Sequence, residues 1–214
     1  MYASAGVLAV EARHSTFVVP PERAVWIPAA TPHRLSARTR ARLRTLYFDP
    51  VVAAGRDAVT VVPVSPLLRE LIVYVVAAGM LDARVPEDVR LAHVVLDQIR
   101  DIDVVPLEIA EPNDELARAA AQLLRDDPSV ELDAVARAIG TTRRTLERRF
   151  LASSGSSLGR WRQRVQLARA LELLALGTSV TEAGAAVGYS TTSAFIDAFR
   201  RALGATPARY FKEG

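Results

Sequence analysis

Between residues 132 and 210 one pattern occurs twice: a short apolar helix, a glycine, a turn, and a second helix with apolar residues four apart. The first copy runs from Leu132 through Ala136, Ile139 and Gly140, then through Leu146 and Phe150 to Gly155. The second runs from Val180 through Gly184, Val187 and Gly188, then, after a longer turn, through Phe195 and Phe199 to Gly204. A small residue, Ala136 or Gly184, stands where two helices must approach closely, and the following glycine breaks the first helix. The i, i+4 spacing puts Leu146 with Phe150, and Phe195 with Phe199, on one inward face. One such motif is weak evidence. Two, joined by a single amphipathic helix, predict a unit that offers two recognition helices to neighbouring segments of a DNA major groove.

The distribution of charge agrees with this, although the formal net charge is only +3. Residues 143–169 hold eight arginines (143, 144, 148, 149, 160, 162, 164 and 169) against one acid, Glu147. Such a cluster is the electrostatic footprint of a nucleic-acid face. The competing explanation is a solvated surface in an arginine-rich chain, since all but one of the 27 basic residues are Arg. Without cysteine there is no disulfide framework and no thiolate zinc site. No apolar run reaches bilayer length and no leader-peptide pattern opens the chain, so a cytoplasmic location is expected.

Upstream, residues 1–49 alternate short apolar runs with turn chemistry and place prolines at run ends, which reads as a small antiparallel β region. After residues 59–64 the period changes, and two helices open at Pro66 and Pro86. Their apolar content exceeds one stripe, so their faces pack on the β region and either close an ordinary core or meet a partner subunit. Residues 101–112, with two prolines, read as a linker, and Asn113 as the N-cap of the next helix. The expected class is α+β: a partial antiparallel β region with helices over 1–100, a linker over 101–112, and an all-α double helix-turn-helix over 113–214.

In the first copy, a helix over 142–152 with Leu146 and Phe150 inward leaves Arg143, Arg144, Glu147 and Arg148 outward. Arg144 and Arg148 can each offer a bidentate fork to a guanine edge, and Glu147 can accept from a cytosine amine. Glu147 pairing with Arg143 or Arg144 across a helix turn is an equally good reading. In the second copy the outward positions are Thr192, Ser193, Ile196 and Asp197, with no arginine before Arg200 and Arg201. This half is expected to read DNA weakly, through Thr192, Ser193 and Asp197, with the first half carrying most sequence information. Arg143, Arg149, Arg160, Arg162, Arg164, Arg200 and Arg201 are the candidate phosphate contacts. Trp161 reads as a core plug rather than a base-stacking surface.

The pattern from Leu132, Ala136 and Gly140 through Arg144, Leu146, Arg148, Phe150, Gly155 and Trp161, closing with Gly188, Tyr189, Phe195, Phe199, Gly204, Pro207 and Tyr210, closely resembles the DNA-binding domain of the AraC/XylS regulators. The resemblance spans roughly residues 113–213. It implies seven helices, with a rigid central one over 157–176, and base-reading roles for Arg144, Glu147 and Arg148. It also implies double-stranded DNA as partner and contacts with RNA polymerase.

A weaker resemblance, through Gly6, Pro21, Arg23, Trp26, Pro28, His33, Arg44 and Tyr47, is to the cupin-type sensor domain of these regulators. It implies a small-molecule effector, with Trp26, His33 and Tyr47 as the candidate pocket. A homodimer through the apolar helix faces is the other expected partner, with or without an effector. Pro28 and His33 match the second metal-ligand motif of cupins, but the first motif would end at Gly6, which puts its ligands before Met1. Either the natural start lies upstream, or the chain is truncated, or the site has been lost. The expected reading is a sensor shortened at its N-terminus that holds no metal or cofactor, since one imidazole is not enough to bind a metal. His14 and His93 have no ligand-spaced neighbours. The alternative function is a cupin-type metal-dependent enzyme with an accessory DNA-binding tail. The missing ligands argue against it, as does the lack of a nucleophile elbow or phosphate-cradling loop.

Overall fold

The computed structural model describes residues 1–21, 23–49, 51, 53, 56–99 and 107–211. Six short strands open the chain: β1 (Tyr2–Ala5), β2 (Leu8–Ala12), β3 (Ser15–Val19), β4 (Arg23–Trp26), β5 (His33–Ser36) and β6 (Arg42–Arg44). Strand β7 (Thr60–Pro63), helices α1 (Pro66–Ala78) and α2 (Pro86–Gln98), and strand β8 (Leu107–Ala110) complete the amino-terminal half. All pairings are antiparallel, in two four-stranded sheets ordered β6-β1-β4-β7 and β5-β2-β3-β8.

The alternation of side chains along the strands builds four layers. In the first sheet Tyr2, Ala24 and Val62 face α1 and α2, which supply Leu68, Ile72, Val75 and Val95. The neighbouring residues Ala3, Val25 and Val61 point the other way, into a core shared with Leu8, Val10, Phe17 and Val19 of the second sheet. Val18, Leu107 and Ile109 then face outward from that second sheet into the carboxy-terminal helices. Successive residues such as Val61 and Val62 are both buried because this part of the first sheet is covered on both faces, whereas β6 at its edge is largely exposed.

This is where the expected linker fails. Of residues 101–112, those numbered 101–106 lie outside the described residues, but Leu107–Ala110 pair with β3 in register, Val18 opposite Leu107 and Thr16 opposite Ile109. The stretch is a strand of the second sheet because Leu107 and Ile109, two apart, have a common apolar face to bury. Asn113 is not the cap either: Asp114 accepts from the Ala117 N–H and starts the next helix. The β region read over residues 1–49 also stops short, its last strand ending at Arg44.

The carboxy-terminal half contains α3 (Glu115–Asp126), α4 (Leu132–Ala138), α5 (Arg143–Ser154), α6 (Leu158–Ala175), α7 (Val180–Ala186), α8 (Thr192–Leu203) and the short α9 (Pro207–Tyr210). Hydroxyl caps on Thr142, Ser157, Ser179 and Thr191 open α5 to α8, and Ser179 with Glu182 forms a capping box. Gly140 and Gly188 adopt φ of 69° and 91° after the first helix of each copy, which an L side chain would resist. At Gly184 a Cβ would lie 3.0 Å from the Phe195 ring, so the small residue is a packing requirement.

Candidate nucleic-acid interface

Helix α6 is the beam that holds both helix-turn-helix units. Its Trp161 is fully buried, packs edge-on against Phe150 at 5.2 Å, and donates its indole N–H to the Ala110 carbonyl at 2.7 Å. One turn on, Gln166 donates to Val187 O at 2.8 Å and to Pro128 O at 3.3 Å, tying the segment before the first unit to the turn of the second. Each buried N–H thus finds a carbonyl, as burial requires. The core reading of Trp161 holds.

On α5, Leu146 and Phe150 are fully buried, and the opposite face presents Arg144, Glu147, Arg148 and Leu151 beside Ser157 in one concave strip. Arg143 is occupied: its Nε donates to Glu147 at 2.9 Å and its Nη1 to Asp133 at 3.3 Å. These two acids hold its pKa above the ordinary guanidinium value, hydrogen bonding to Glu147 contributing most. Of the two readings of Glu147, the helix-turn pair with Arg143 is the one formed in the free protein. Arg144 and Arg148 are exposed one turn apart, and among the described residues neither makes a hydrogen bond or ion pair. They are the two forks of this face that the fold leaves unused.

Several arginines expected on phosphate have inward work instead. Arg149 donates through Nε and Nη2 to Asp114 Oδ2, at 3.0 and 2.6 Å, bracing the α3 N-terminus. Arg162 donates to the carbonyls of Pro128 and Ser129, each at 2.9 Å, and Arg164 to Glu108 O at 2.6 Å. Charge count does not distinguish these from Arg160, which is exposed and among the described residues carries no ion pair. On α8, Thr192 Oγ1 lies 3.4 Å from Thr181 Oγ1, Ser193 is exposed, and Asp197 accepts from Arg200 at 3.2 Å. Arg201 is exposed beside them.

The proposed effector residues converge. Trp26, His33 and Tyr47 line one cavity of about 310 Å³ between the first sheet and α1, floored by Val62, Leu68 and Ile72. Trp26 packs on Phe48 at 5.5 Å and donates its indole N–H to Arg56 O at 3.1 Å. Tyr47 stands at the rim, 90% exposed, and His33 Nδ1 lies 2.9 Å from Thr31 O. Among the described residues no three His, Cys, Asp or Glu side chains converge as metal ligands, and no helix is long and apolar enough to cross a membrane. Sequence reasoning missed Phe48 and Gln166 and gave Arg44 no place in the pocket; a polar residue on the apolar stripe of α6 was the available signal for Gln166.

A family model described as a helix-turn-helix domain matches residues 135–213. The HTH-type transcriptional regulator NimR of Escherichia coli (strain K12) is 29% identical over 208 residues, spanning 96% of this chain and 76% of that protein. Residues 135–213 thus match a helix-turn-helix domain, and the chain is similar over nearly its whole length to an HTH-type transcriptional regulator. It is also 40% identical over 96 residues to the HTH-type transcriptional regulator RipA of Corynebacterium glutamicum, a match spanning 44% of this chain and 29% of that one. Among solved structures, the DNA-binding domain of AdpA in complex with a target DNA is 31% identical, covering 46% of this chain and 90% of that domain with a TM-score of 0.40.

Proposed function

We propose that this regulator reads two successive major-groove segments unequally, with α5 as the principal reader. Arg144 and Arg148 make the base contacts, Arg160 and Arg201 anchor phosphates, and Glu147 stays with Arg143 or releases it to a cytosine amine. The observation that carries this reading is the division among arginines. Arg143, Arg149, Arg162 and Arg164 are already engaged by carboxylates or main-chain carbonyls of the protein, whereas Arg144 and Arg148 are exposed and among the described residues have no hydrogen-bond or ion-pair partner. Helix α8 contributes hydroxyl contacts from Thr192 and Ser193, and its Asp197 weakens phosphate approach.

The amino-terminal sandwich acts as sensor and pairing module. Its cavity binds an effector rather than transforming one, and the exposed apolar residues Leu67, Tyr74, Met80 and Val94 on and beside α1 and α2 form the homodimer surface. An effector that binds one arrangement better biases how the reader is presented to DNA and RNA polymerase in the cytoplasm. Selection of bound sites from random DNA at two salt concentrations tests the reading. Strong base preference under α5 and weak preference under α8 are expected; the reverse order overturns it.

A further inference from the structure

Arg44, the last residue of β6, lines the apolar cavity beside Trp26 and Phe48. Its Nε is buried without an acceptor, and among the described residues no hydrogen bond or ion pair reaches its guanidinium. The guanidinium of Arg56, which stacks on Trp26 without lining the cavity, is engaged: it donates to Ile99 O at 2.6 Å and lies over the Trp26 ring at 5.6 Å. A desolvated N–H with nothing to donate to is costly, and such groups in folded proteins call for an explanation.

The rest of the lining narrows what could satisfy it. Among the described residues the cavity wall holds no carboxylate, so an anion meets no like charge there and a cation meets no counter-charge. Apart from Thr31, Thr45 and the two tyrosines, the side chains around Trp26, Phe48, Leu68 and Ile72 offer no hydroxyls or amides to a polyol. At about 310 Å³ the space lies at the small end of ligand pockets, which run from roughly 300 to 1,000 Å³. We propose that Arg44 is an anion receptor and that this cavity takes a small carboxylate with an apolar, preferably aromatic, body. The carboxylate accepts side-on from the guanidinium Nε and one Nη, and the body lies against Trp26 and Phe48. This rests on the cavity being the effector site.

The test uses the full chain and a panel of benzoate, phenylacetate and hexanoate, each set against its primary amide. Thermal shift and quenching of Trp26 fluorescence, in a Trp161→Phe background, report binding. At least one acid is expected to bind roughly tenfold or more tightly than its amide. Arg44→Gln should remove that preference by weakening acid binding far more than amide binding, and Arg44→Lys should keep part of it. Equal binding of acid and amide, or an acid preference that survives Arg44→Gln, overturns the anion receptor but leaves the effector cavity standing. No quenching by any member of the panel overturns both. Arg144→Gln/Arg148→Gln, which must not alter the acid response, excludes binding at the DNA face; loss of the response in that variant overturns the proposal.

Discussion

The two helix-turn-helix units share a frame and differ on their faces. In each, a first helix ends at a left-handed glycine, a hydroxyl caps the second helix, and two apolar residues four apart fill the core: Leu146 and Phe150 in one, Phe195 and Phe199 in the other. Outside, α5 carries two arginines, Arg144 and Arg148, that have no partner among the described residues, and α8 carries hydroxyls and an aspartate that already holds Arg200. Packing is thus constrained twice over, and recognition chemistry is free to differ. Duplication supplies a scaffold, not a repeated reading of the same bases.

The comparison breaks first in the core, where the units should behave alike. Phe150→Ala and Phe199→Ala are each expected to lower unfolding stability by about 3–5 kcal/mol, measured by denaturant titration. A small loss at one position only would mean that the two frames are not equivalent. At the faces they should diverge. Arg148→Ala is expected to reduce discrimination at one base pair by about 1–3 kcal/mol in competition binding, with Ser193→Ala nearly silent. Asp197→Ala, smaller still, should raise affinity for any duplex and steepen the dependence on salt, because it removes a charge that repels phosphate and frees Arg200.

The least effect comes from acid. Asp114 is held below the usual aspartate range, first by the Ala117 N–H and then by Arg149, and Glu182 below its own by hydrogen bonds from Ser179. Because both are lowered in the folded state, their contribution is complete above the ordinary values of 3.8 and 4.5 and is lost as pH falls through the depressed ones. Thermal stability should therefore begin to drop below those values, and Asp114→Asn should flatten the change assigned to α3.

The doubled unit was legible because it is local: caps, glycines and i, i+4 pairs lie within a few residues of one another. The four layers were not. Strand β8 has four residues between prolines, and its pairing with β3 is a contact across roughly ninety positions that no window of sequence exposes. The roles of the arginines were half legible. Helical spacing placed Arg144 and Arg148 outward, but nothing in the composition shows that Arg149, Arg162 and Arg164 bend back onto Asp114 and main-chain carbonyls. Clustered charge records how many guanidinium groups there are, and only the fold records which are already satisfied.

The bond from Trp161 to Ala110 sets where this molecule can be dissected. The core of the DNA-reading half is finished by Leu107 and Ile109, which belong to a strand of the other half. A fragment starting at residue 111 would inherit an indole with no acceptor and a bare greasy flank, whereas one starting at residue 107 would bring its own lid. Swapping sensors between such regulators would therefore have to cut before that strand and carry it along with the reader, even though it is hydrogen-bonded to the sheet being replaced.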